Sequence, residues 1–339
     1  MSAVLTVTVE SHDLLNALNT VSLLVPKGQK TMPIGFYIDK GHIKIVCTQG
    51  VVYQSNILTD DYDNCFGYTV MYYDIAPLLH VAGTVDIEFS PDHSIHLYGD
   101  GFDTSFAPAY STIQLQNFED ENFVHIPGGS YSDGFQKILN IGLEKLYGIA
   151  SPVIVSKDIS LQKFPNTIVQ VRTMGFPVNA ILDSDHVKLI TKFGPTYVCA
   201  YSDSLVFKNQ TSVLQIPCKR NTDETKMGEL ISKLGVPVTV NMHSYLDKLR
   251  SVSKLDSKAT CKIAVYEKGL KSTLTAEQSS VSISTGDTES KVLKVFHLPM
   301  QVWLTFLKVL GTETIQVLVG EELLCLRTAS VIILTRVLN

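Results

Sequence analysis

The sequence predicts an α+β protein built from repeated units, each with a strand, an amphipathic helix and an antiparallel hairpin. Two observations predict this class. Apolar residues alternate over short segments through most of the chain, as they do in half-buried strands. About six helical stretches interrupt these segments, each introduced by a strand. Because the same order of elements recurs, it is stronger evidence than any single element.

The C-terminal copy of the unit is the clearest. Residues 294–298 alternate as a strand, and Pro299 suits the first turn of a helix. Gly311 ends that helix. The residues on its apolar face are Val302, Trp303, Phe306, Leu307 and Leu310. Three strands then follow, at residues 314–319, 323–327 and 331–338.

Three further copies share this plan. The first has a strand at 4–9, a helix capped by Ser11, and a hairpin that turns at 39–41. Its inward residues are Leu14, Leu15, Leu18 and Val21. The second copy has a strand at 68–70, a helix at 73–82 and strands at 84–89 and 94–98. The third has a strand at 237–240, a helix at 243–254 and strands at 261–266 and 270–274 that turn at 267–269.

The chain should divide into three domains. One helix and one hairpin sheet cannot bury both of their apolar faces alone, so two units should pair. A chain of 339 residues accommodates three such pairs. We place the domains at residues 1–115, 116–235 and 236–339, with linkers at 114–122 and at 218–225 or 235–237. Residues 203–235 match the repeat poorly, which leaves open whether the second half of the middle domain is complete.

The composition narrows the classes of function. A net charge of −5 and a pI of about 6.0 argue against a protein that coats nucleic acid through a strongly basic surface, so any DNA contact should be local or topological. The six cysteines are far apart and form no C-x-x-C pair, and four of them lie in apolar strand-like runs, which favours buried free thiols for those four and a reducing compartment. Neither a secretory signal nor an apolar run of membrane-spanning length is recognised. We therefore expect a soluble, intracellular protein.

Catalytic signatures are missing from the sequence. No phosphate-binding loop, nucleophile elbow or H-E-x-x-H motif occurs. His93 and His96 should point to opposite faces of a strand, which separates them as metal ligands. Asp60, Asp61 and Asp63 suit a solvated linker better than a magnesium site. We predict no enzymatic activity, no cofactor and no metal.

Several segments resemble the bacterial-type DNA polymerase sliding clamp, the β subunit family, including bacteriophage versions. Residues 14–21, 31–34 and 41–45 are similar to its opening helix, its T-L-P-I-L segment and its first hairpin. Residues 106–110 and 117–127 resemble its crossing from the first to the second domain. Residues 179–182, 187–191 and 194–200 resemble its middle-domain hairpin and T-D-G-H-R-L-A segment, without the His-Arg pair. Residues 335–339 resemble its terminal M-P-M-R-L strand.

The resemblance implies a DNA sliding clamp, a processivity factor without catalytic activity. Its repeated clamp domains would place antiparallel sheets outside and helices inside a ring around duplex DNA, without sequence preference. The ring would be a homodimer rather than the trimer formed by two-domain clamps of the proliferating cell nuclear antigen type. A DNA polymerase and a clamp loader would bind through short linear peptides, and no membrane is involved. The location would be the cytoplasm: the bacterial nucleoid, or the host cytoplasm for a viral protein.

The same resemblance suggests two sets of site residues. Basic residues on helices are candidates for the DNA channel, although a solvated helix face explains them equally well. They are Lys137, Lys145, Lys248, Arg250, Lys254, Lys258 and Lys308. A partner-peptide pocket between the second and third domains would include Thr191, Gly194, Tyr197, Arg336 and Leu338. For Tyr197 and Leu338, core packing is an equal alternative.

Two other functions stay open on the sequence alone. One is a viral polymerase processivity factor that forms no ring and binds DNA electrostatically, although the acidic composition disfavours its basic face. The other is a structural, β-rich assembly protein, which would lack interior helices and any contact with a polymerase.

Overall fold

A computed structural model describes most of the chain. The residues outside the description are 1–3, 26–30, 40, 49–51, 56, 60–65, 74–82, 111–112, 114–117, 119–121, 128–129, 174, 221–226, 255–258, 277–278, 312–313 and 338–339. Among the described residues the order of a strand, a helix and further strands occurs five times, and a sixth group of strands has the same arrangement; we number these six repeats along the chain. The predicted helix at 73–82 falls almost entirely outside the described residues, so repeat 2 is recognised by its strands.

The first three repeats cover the N-terminal half. Repeat 1 consists of β1 (Leu5–Glu10), α1 (Ser11–Leu24), β2 (Thr31–Ile38), β3 (His42–Thr48), β4 (Val52–Ser55) and the short β5 (Ile57–Leu58). Repeat 2 consists of β6 (Phe66–Tyr73), β7 (Thr84–Phe89), β8 (Ile95–Gly99) and β9 (Phe102–Phe106). Repeat 3 consists of β10 (Val124–His125), α2 (Ser130–Asn140), α3 (Leu143–Tyr147), β11 (Val153–Ser156), β12 (Ile159–Phe164) and β13 (Thr167–Arg172).

The last three repeats follow the same order. Repeat 4 consists of β14 (Ala180–Leu182), α4 (Ser184–Phe193), β15 (Tyr197–Ala200), β16 (Ser204–Lys208) and β17 (Ser212–Pro217). The connection to repeat 5 contains β18 (Lys219–Arg220) and α5 (Met227–Ser232). Repeat 5 consists of β19 (Val238–Asn241), α6 (Tyr245–Ser253), β20 (Thr260–Ala276) and the first part of β21 (Ser279–Pro299). Repeat 6 consists of the end of β21, α7 (Met300–Leu310), β22 (Thr314–Val319), β23 (Leu323–Arg327) and β24 (Val331–Arg336).

The chain forms two compact units. Unit 1 contains residues 1–127 and 189–219, and unit 2 contains residues 128–188 and 220–339. The chain passes between them within α4 and within β18. The boundaries between the three predicted domains therefore stay a prediction, since the two units group the repeats differently.

Each unit contains one large antiparallel sheet that joins two repeats through their last strands. In unit 1 the strand order is β10-β15-β16-β17-β4-β3-β2-β6, and in unit 2 it is β14-β11-β12-β13-β24-β23-β22-β19, with β18 added beside β14. We call the junctions β17·β4 and β13·β24 seam 1 and seam 2. Seam 1 joins repeats 1 and 4, and seam 2 joins repeats 3 and 6. Each odd repeat is thus joined to the repeat three places later.

The predicted helices form around buried apolar faces. In α7 the five predicted inward residues are all buried, and Gly311 after it has a φ of +81°. In α1, Leu14, Leu18 and Val21 are buried, whereas Leu15 is half-buried. Ser11 is the first residue of α1 and is buried; the residue before the helix is Glu10.

Repeat 4 has a strand, a helix and three further strands, although residues 203–235 match the repeat poorly in sequence. β16 and β17 pair along their length as a hairpin. The helix α5, for which the sequence analysis predicts no element, follows. Met227 of α5 belongs to a buried cluster with Leu161, Leu318, Cys325 and Leu334 of the unit 2 sheet. Successive residues on a strand point to opposite faces of the sheet. Leu161 therefore packs against α5, whereas the side chain of Gln162 points to the other face and donates to Glu144 of α3. The sheet is buried on both faces at this point.

Residues 187–191 are helical rather than part of a hairpin. Val187, Ile190 and Phe193 are buried at helical spacing, and Lys188 and Lys192 are exposed. β-branched residues favour strands intrinsically, but burial of one helical face outweighs that preference.

The predicted turn at 267–269 is also wrong, because β20 continues through it. β20 and β21 form a long two-stranded ribbon with register shifts near Tyr266. Gly269 lies opposite Gly286, whose φ is +73°, and a Cβ atom on either residue would collide with the facing backbone. The two glycines therefore permit a close approach of two paired backbones beside the register shift, and not a turn.

Candidate functional site

Two helices of unit 2 bring predicted channel residues together. α2 of repeat 3 and α7 of repeat 6 border an open cleft of about 410 Å³, which we call cleft 2. Its lining residues are Lys137, Asn140, Ile141, Gly142, Thr305, Lys308 and Val309. Lys137 and Lys308 are both exposed, and the Nζ of Lys137 donates to the Oγ of Ser330 at 3.4 Å. Cleft 2 therefore presents two ammonium groups from two different repeats.

The carboxylate next to Lys145 faces away from the solvent. Glu144 Oε1 accepts hydrogen bonds from the backbone N–H of Ser151 at 3.1 Å, from Gln162 Nε2 at 3.3 Å and from Ser184 Oγ at 2.5 Å. These three hydrogen bonds hold the carboxylate of Glu144 against Ser151, Gln162 and Ser184, whereas the side chain of Lys145 is exposed to solvent. The charge of Lys145 is consequently not neutralised by its sequence neighbour.

The helix α6 adds a third basic segment to unit 2. Its buried side contains Tyr245, Leu246 and Leu249, and its exposed residues include Lys248 and Arg250. Arg250 Nη1 lies 3.2 Å from Asp247 Oδ1, so this guanidinium is already paired. Lys254, just after the helix, is exposed. In the described part of the chain, Lys137, Lys145, Lys248, Lys254 and Lys308 form no ion pair. Lys258 lies outside the described residues.

The predicted pocket residues fall in both units. Thr191 and Gly194, at the end of α4, and Tyr197 on β15 belong to unit 1, and Arg336 at the end of β24 belongs to unit 2. Tyr197 is 42% exposed and its ring contacts His125 with the centroids 5.4 Å apart, so it is not a core residue. Arg336 Nη2 pairs with Glu322 Oε2 at 2.6 Å on the surface. Leu338 lies outside the described residues, and the pocket as a whole stays a prediction.

Unit 1 has a cleft at the equivalent place. α1 of repeat 1 and the end of α4 of repeat 4 border an opening of about 620 Å³, which we call cleft 1. The polar residues that line it include Asp13, Asn16, Asn19, Lys192 and Asn209. Tyr53 and Phe193 lie at its base with their rings edge to face and the centroids 6.4 Å apart.

Comparison with solved structures identifies the fold. The β clamp of Helicobacter pylori in complex with 5-chloroisatin superposes with a TM-score of 0.78 at 13% identity, covering 99% of this chain and 100% of that chain. The chain has the sliding-clamp fold. The DNA polymerase III subunit beta of Pseudomonas aeruginosa gives a TM-score of 0.76 at 10% identity, with coverage of 99% and 100%. The H. pylori clamp bound to a DNA ligase peptide gives 0.74 at 12% identity, with the same coverage. Sequence comparison finds no matching family profile and no curated relative.

Within the clamp fold, sequence analysis overlooked one segment. The family's T-D-G-H-R-L-A pattern was placed on residues 194–200, but Thr173-Met174-Gly175 also matches its T-x-G beginning. This segment directly follows β13, the strand of unit 2 that pairs with β24. The sequence signal for this match is the alternation of apolar residues in β13, which ends just before Thr173. The match lies in unit 2, which also contains Arg336.

The cysteines and the possible metal ligands among the described residues form no metal site. Cys47, Cys199, Cys261 and Cys325 are buried free thiols, as predicted, and burial raises the pKa of Cys47 to about 12. Cys65 lies outside the described residues. No group of three or more His, Cys, Asp or Glu residues in the described chain could hold a metal ion. None of the described helices is long and apolar enough to cross a membrane.

Proposed function

We propose that this chain is a DNA sliding clamp, a processivity factor that closes as a ring around duplex DNA and tethers the replicative polymerase. The observation that carries the proposal is the repeated seam. The same junction between an odd repeat and the repeat three places later is built twice within the chain. A ring of such repeats requires the junction to be built once more, between chains.

Both halves of the third junction are exposed as sheet edges. In the sheet β1-β7-β8-β9, the first strand of repeat 1 lies beside the last three strands of repeat 2. The strands β10-β15-β16-β17 of repeats 3 and 4 are arranged in the same way, but there the last strand continues into seam 1. In repeat 2 the corresponding last strand is β9, where the sheet ends. Among the described residues β9 pairs with β8 alone, and the first part of β21 pairs with β20 alone. Repeat 5 would therefore join repeat 2 of a second copy through antiparallel pairing of β21 with β9. Unpaired edges of this kind favour pairing with another chain.

A homodimer fits this arrangement. Six repeats give three domains, so two chains joined head to tail would close a ring of six domains, as the clamp resemblance implies. A ring holds DNA by topology, so it does not need the strongly basic surface that a net charge of −5 disfavours. The tethered polymerase would rebind in an intramolecular step at high effective concentration.

The DNA-facing residues are proposed to be the exposed basic side chains of unit 2. Lys137, Lys145, Lys248, Lys254 and Lys308 support this assignment through their exposure and their lack of ion pairs among the described residues. Arg250 and Lys258 stay in the set, with Arg250 already paired to Asp247. Contacts made by a few flexible ammonium groups restrain DNA only weakly, which suits sliding.

Partners are proposed to bind through short linear peptides. The H. pylori clamp has been solved with a DNA ligase peptide, which supports this mode for a polymerase and a clamp loader here. The pocket would involve Tyr197, Arg336 and their predicted neighbours, or the segment at Thr173. That same peptide, carrying a fluorescent label, is a suitable probe. Weaker binding of the peptide by the Tyr197→Ala variant supports the pocket at Tyr197 and Arg336, and unchanged binding rejects that pocket. We place the protein in the cytoplasm of a bacterium or of a phage-infected host.

Topological retention tests the function without a loader. Cysteines introduced on β9 and β21 would be oxidised after the protein is mixed with nicked circular DNA, so that a closed ring is linked to the circle. The complex should then survive high salt and should be released when the circle is cut. Equal loss from intact and cut circles would reject the sliding-clamp function.

A further inference from the structure

The two clefts occupy equivalent positions but differ in charge. Cleft 1 lies between the helices of repeats 1 and 4, and cleft 2 lies between those of repeats 3 and 6. These are the same pairs of repeats that seams 1 and 2 join. Because the backbone arrangement is repeated, the side chains decide what each cleft binds.

Cleft 2 is suited to an anion. Lys137 and Lys308 line it from two helices, and Asn140 and Thr305 add an amide and a hydroxyl. None of its described lining residues carries a carboxylate. Ammonium groups with nearby neutral donors are the usual partners of phosphate oxygens in DNA complexes.

Cleft 1 has no comparable excess of positive charge. The charge of Lys192 is offset by Asp13, and the other polar lining residues, such as Asn16 and Asn19, are uncharged. The helix α1 contains no lysine or arginine at all. The other lysine of α4, Lys188, is paired with Asp185 at 2.7 Å.

The difference extends beyond the clefts to the whole sequence. Residues 1–127 contain four Lys or Arg against fifteen Asp or Glu, whereas residues 128–339 contain 24 against 18. Most of unit 1 is therefore strongly acidic, and it repels a polyanion over distances comparable to the Debye length.

We infer that DNA backbone phosphates bind in cleft 2 and that the equivalent cleft 1 is not a phosphate site. This inference rests on the proposed function and adds an asymmetry to it: the duplex is held against the helices of unit 2 and makes no stabilising contact with α1. The ring then binds DNA through the helices of unit 2 and not through all of its inner helices.

Two exposed asparagines, one lining each cleft, give a matched test. Asn140→Asp places a carboxylate beside Lys137 and Lys308, and Asn19→Asp makes the same change in cleft 1. Binding of a short linear duplex would be followed by fluorescence anisotropy over a series of salt concentrations. Asn140→Asp should weaken binding by roughly tenfold at low salt, and Asn19→Asp should leave it unchanged.

Removal of the lysines gives a second measurement on the same probe. Lys137→Ala with Lys308→Ala should reduce the slope of log K against log salt by roughly two, since each phosphate contact contributes about 0.9. The control is Lys157→Ala with Lys163→Ala, two exposed lysines on the β11–β12 hairpin of the same unit, and its slope should match the wild type.

The outcomes separate this inference from the function it rests on. Equal weakening by Asn19→Asp and Asn140→Asp, or equal slopes for the two lysine pairs, would overturn the inference while the circular-DNA experiment still supports a clamp. Loss of topological retention with the unequal asparagine effects intact would instead reject the ring and keep cleft 2 as a phosphate site.

Discussion

The hydroxyl oxygens of Thr167 and Thr335 lie 2.9 Å apart, buried at seam 2. Thr335 also donates to the carbonyl of Asn166 at 3.0 Å, and Tyr147 of α3 approaches Thr167 at 2.9 Å. A chain of hydroxyl groups thus connects a helix, β13 and the last strand of the protein. Because these groups are removed from water, each depends on the others for its hydrogen bonds.

Replacing one member of this chain should destabilise unit 2. Thr335→Val removes a hydroxyl and leaves Thr167 with one partner fewer, which should cost about 1–2 kcal/mol in the free energy of unfolding. Urea denaturation followed by circular dichroism measures this loss. Thr239→Val, at an exposed position of β19, is the control and should be nearly neutral. An equally stable Thr335→Val would show that the hydroxyl chain contributes nothing.

The proposed ring junction predicts a specific cross-link. Ser105 on β9 and Ser282 or Ser284 on β21 are exposed on the strands expected to pair. Ser105→Cys combined with Ser282→Cys or Ser284→Cys should form a covalent dimer on oxidation, and light scattering of the unmodified protein should return the mass of two chains. The control protein combines Ser105→Cys with Lys157→Cys, so it has no cysteine introduced on β21. It should form no covalent dimer on oxidation. A mass of one chain would exclude the ring, and three chains would favour a trimer.

The basic residues of α6 should affect processivity without affecting assembly. Lys248→Ala with Lys254→Ala removes two exposed positive charges outside the apolar face of the helix. We expect the dwell time on circular DNA to fall by roughly tenfold, because two phosphate contacts are lost. The mass in solution should stay that of the wild type. Unchanged processivity in a reconstituted polymerase assay would remove α6 from the DNA-facing surface.

His186 should make stability depend on pH. Burial lowers the pKa of His186 below its usual 6.5, despite the opposing effect of Asp183, whose carboxylate lies 4.0 Å from Nδ1. The unfolded chain therefore binds this proton more readily than the folded chain. Stability from this group is complete above the unfolded pKa and is lost as pH falls from about 6.5 towards the lower folded value.

The variant His186→Phe isolates that contribution. The difference in unfolding free energy between the variant and the wild type should change between about pH 7.5 and about pH 5.5, with the wild type losing more on acidification. His12→Phe, at an exposed position of α1, serves as the control. A difference that is constant over this range would show that His186 does not titrate differently on folding.

Local patterns in the sequence were sufficient for the elements whose burial repeats at a regular interval. The helix at α7, with Trp303 and Phe306 inward and Gly311 at its end, follows from periodicity and from the steric freedom of glycine. The hairpin of β2 and β3 follows in the same way from alternation around a short turn. These features depend on neighbours within a few residues, so a single sequence contains the information.

The failures have a different physical cause. Val187, Ile190 and Thr191 are β-branched and favour a strand locally, and burial against other segments decides that they belong to α4. Gly269 suits a turn by its steric freedom, but in the structure it pairs with Gly286 inside a continuous ribbon. The helix α5 depends on its packing against the sheet of unit 2, where Met227 covers Leu161 and Leu334. These strands are distant in the sequence, so the local pattern does not predict the helix.

The sequence by itself determined the α+β class, the repeated order of elements and the acidic balance that disfavours a strongly basic DNA-binding surface. The tertiary structure decided which repeats join through their last strands and which lysines share a cleft. Joining β4 to β17 and β13 to β24 brings together strands separated by more than a hundred residues. Such pairing depends on long-range packing and not on local preference, and for that reason the position of Lys137 beside Lys308 could not be derived from the sequence.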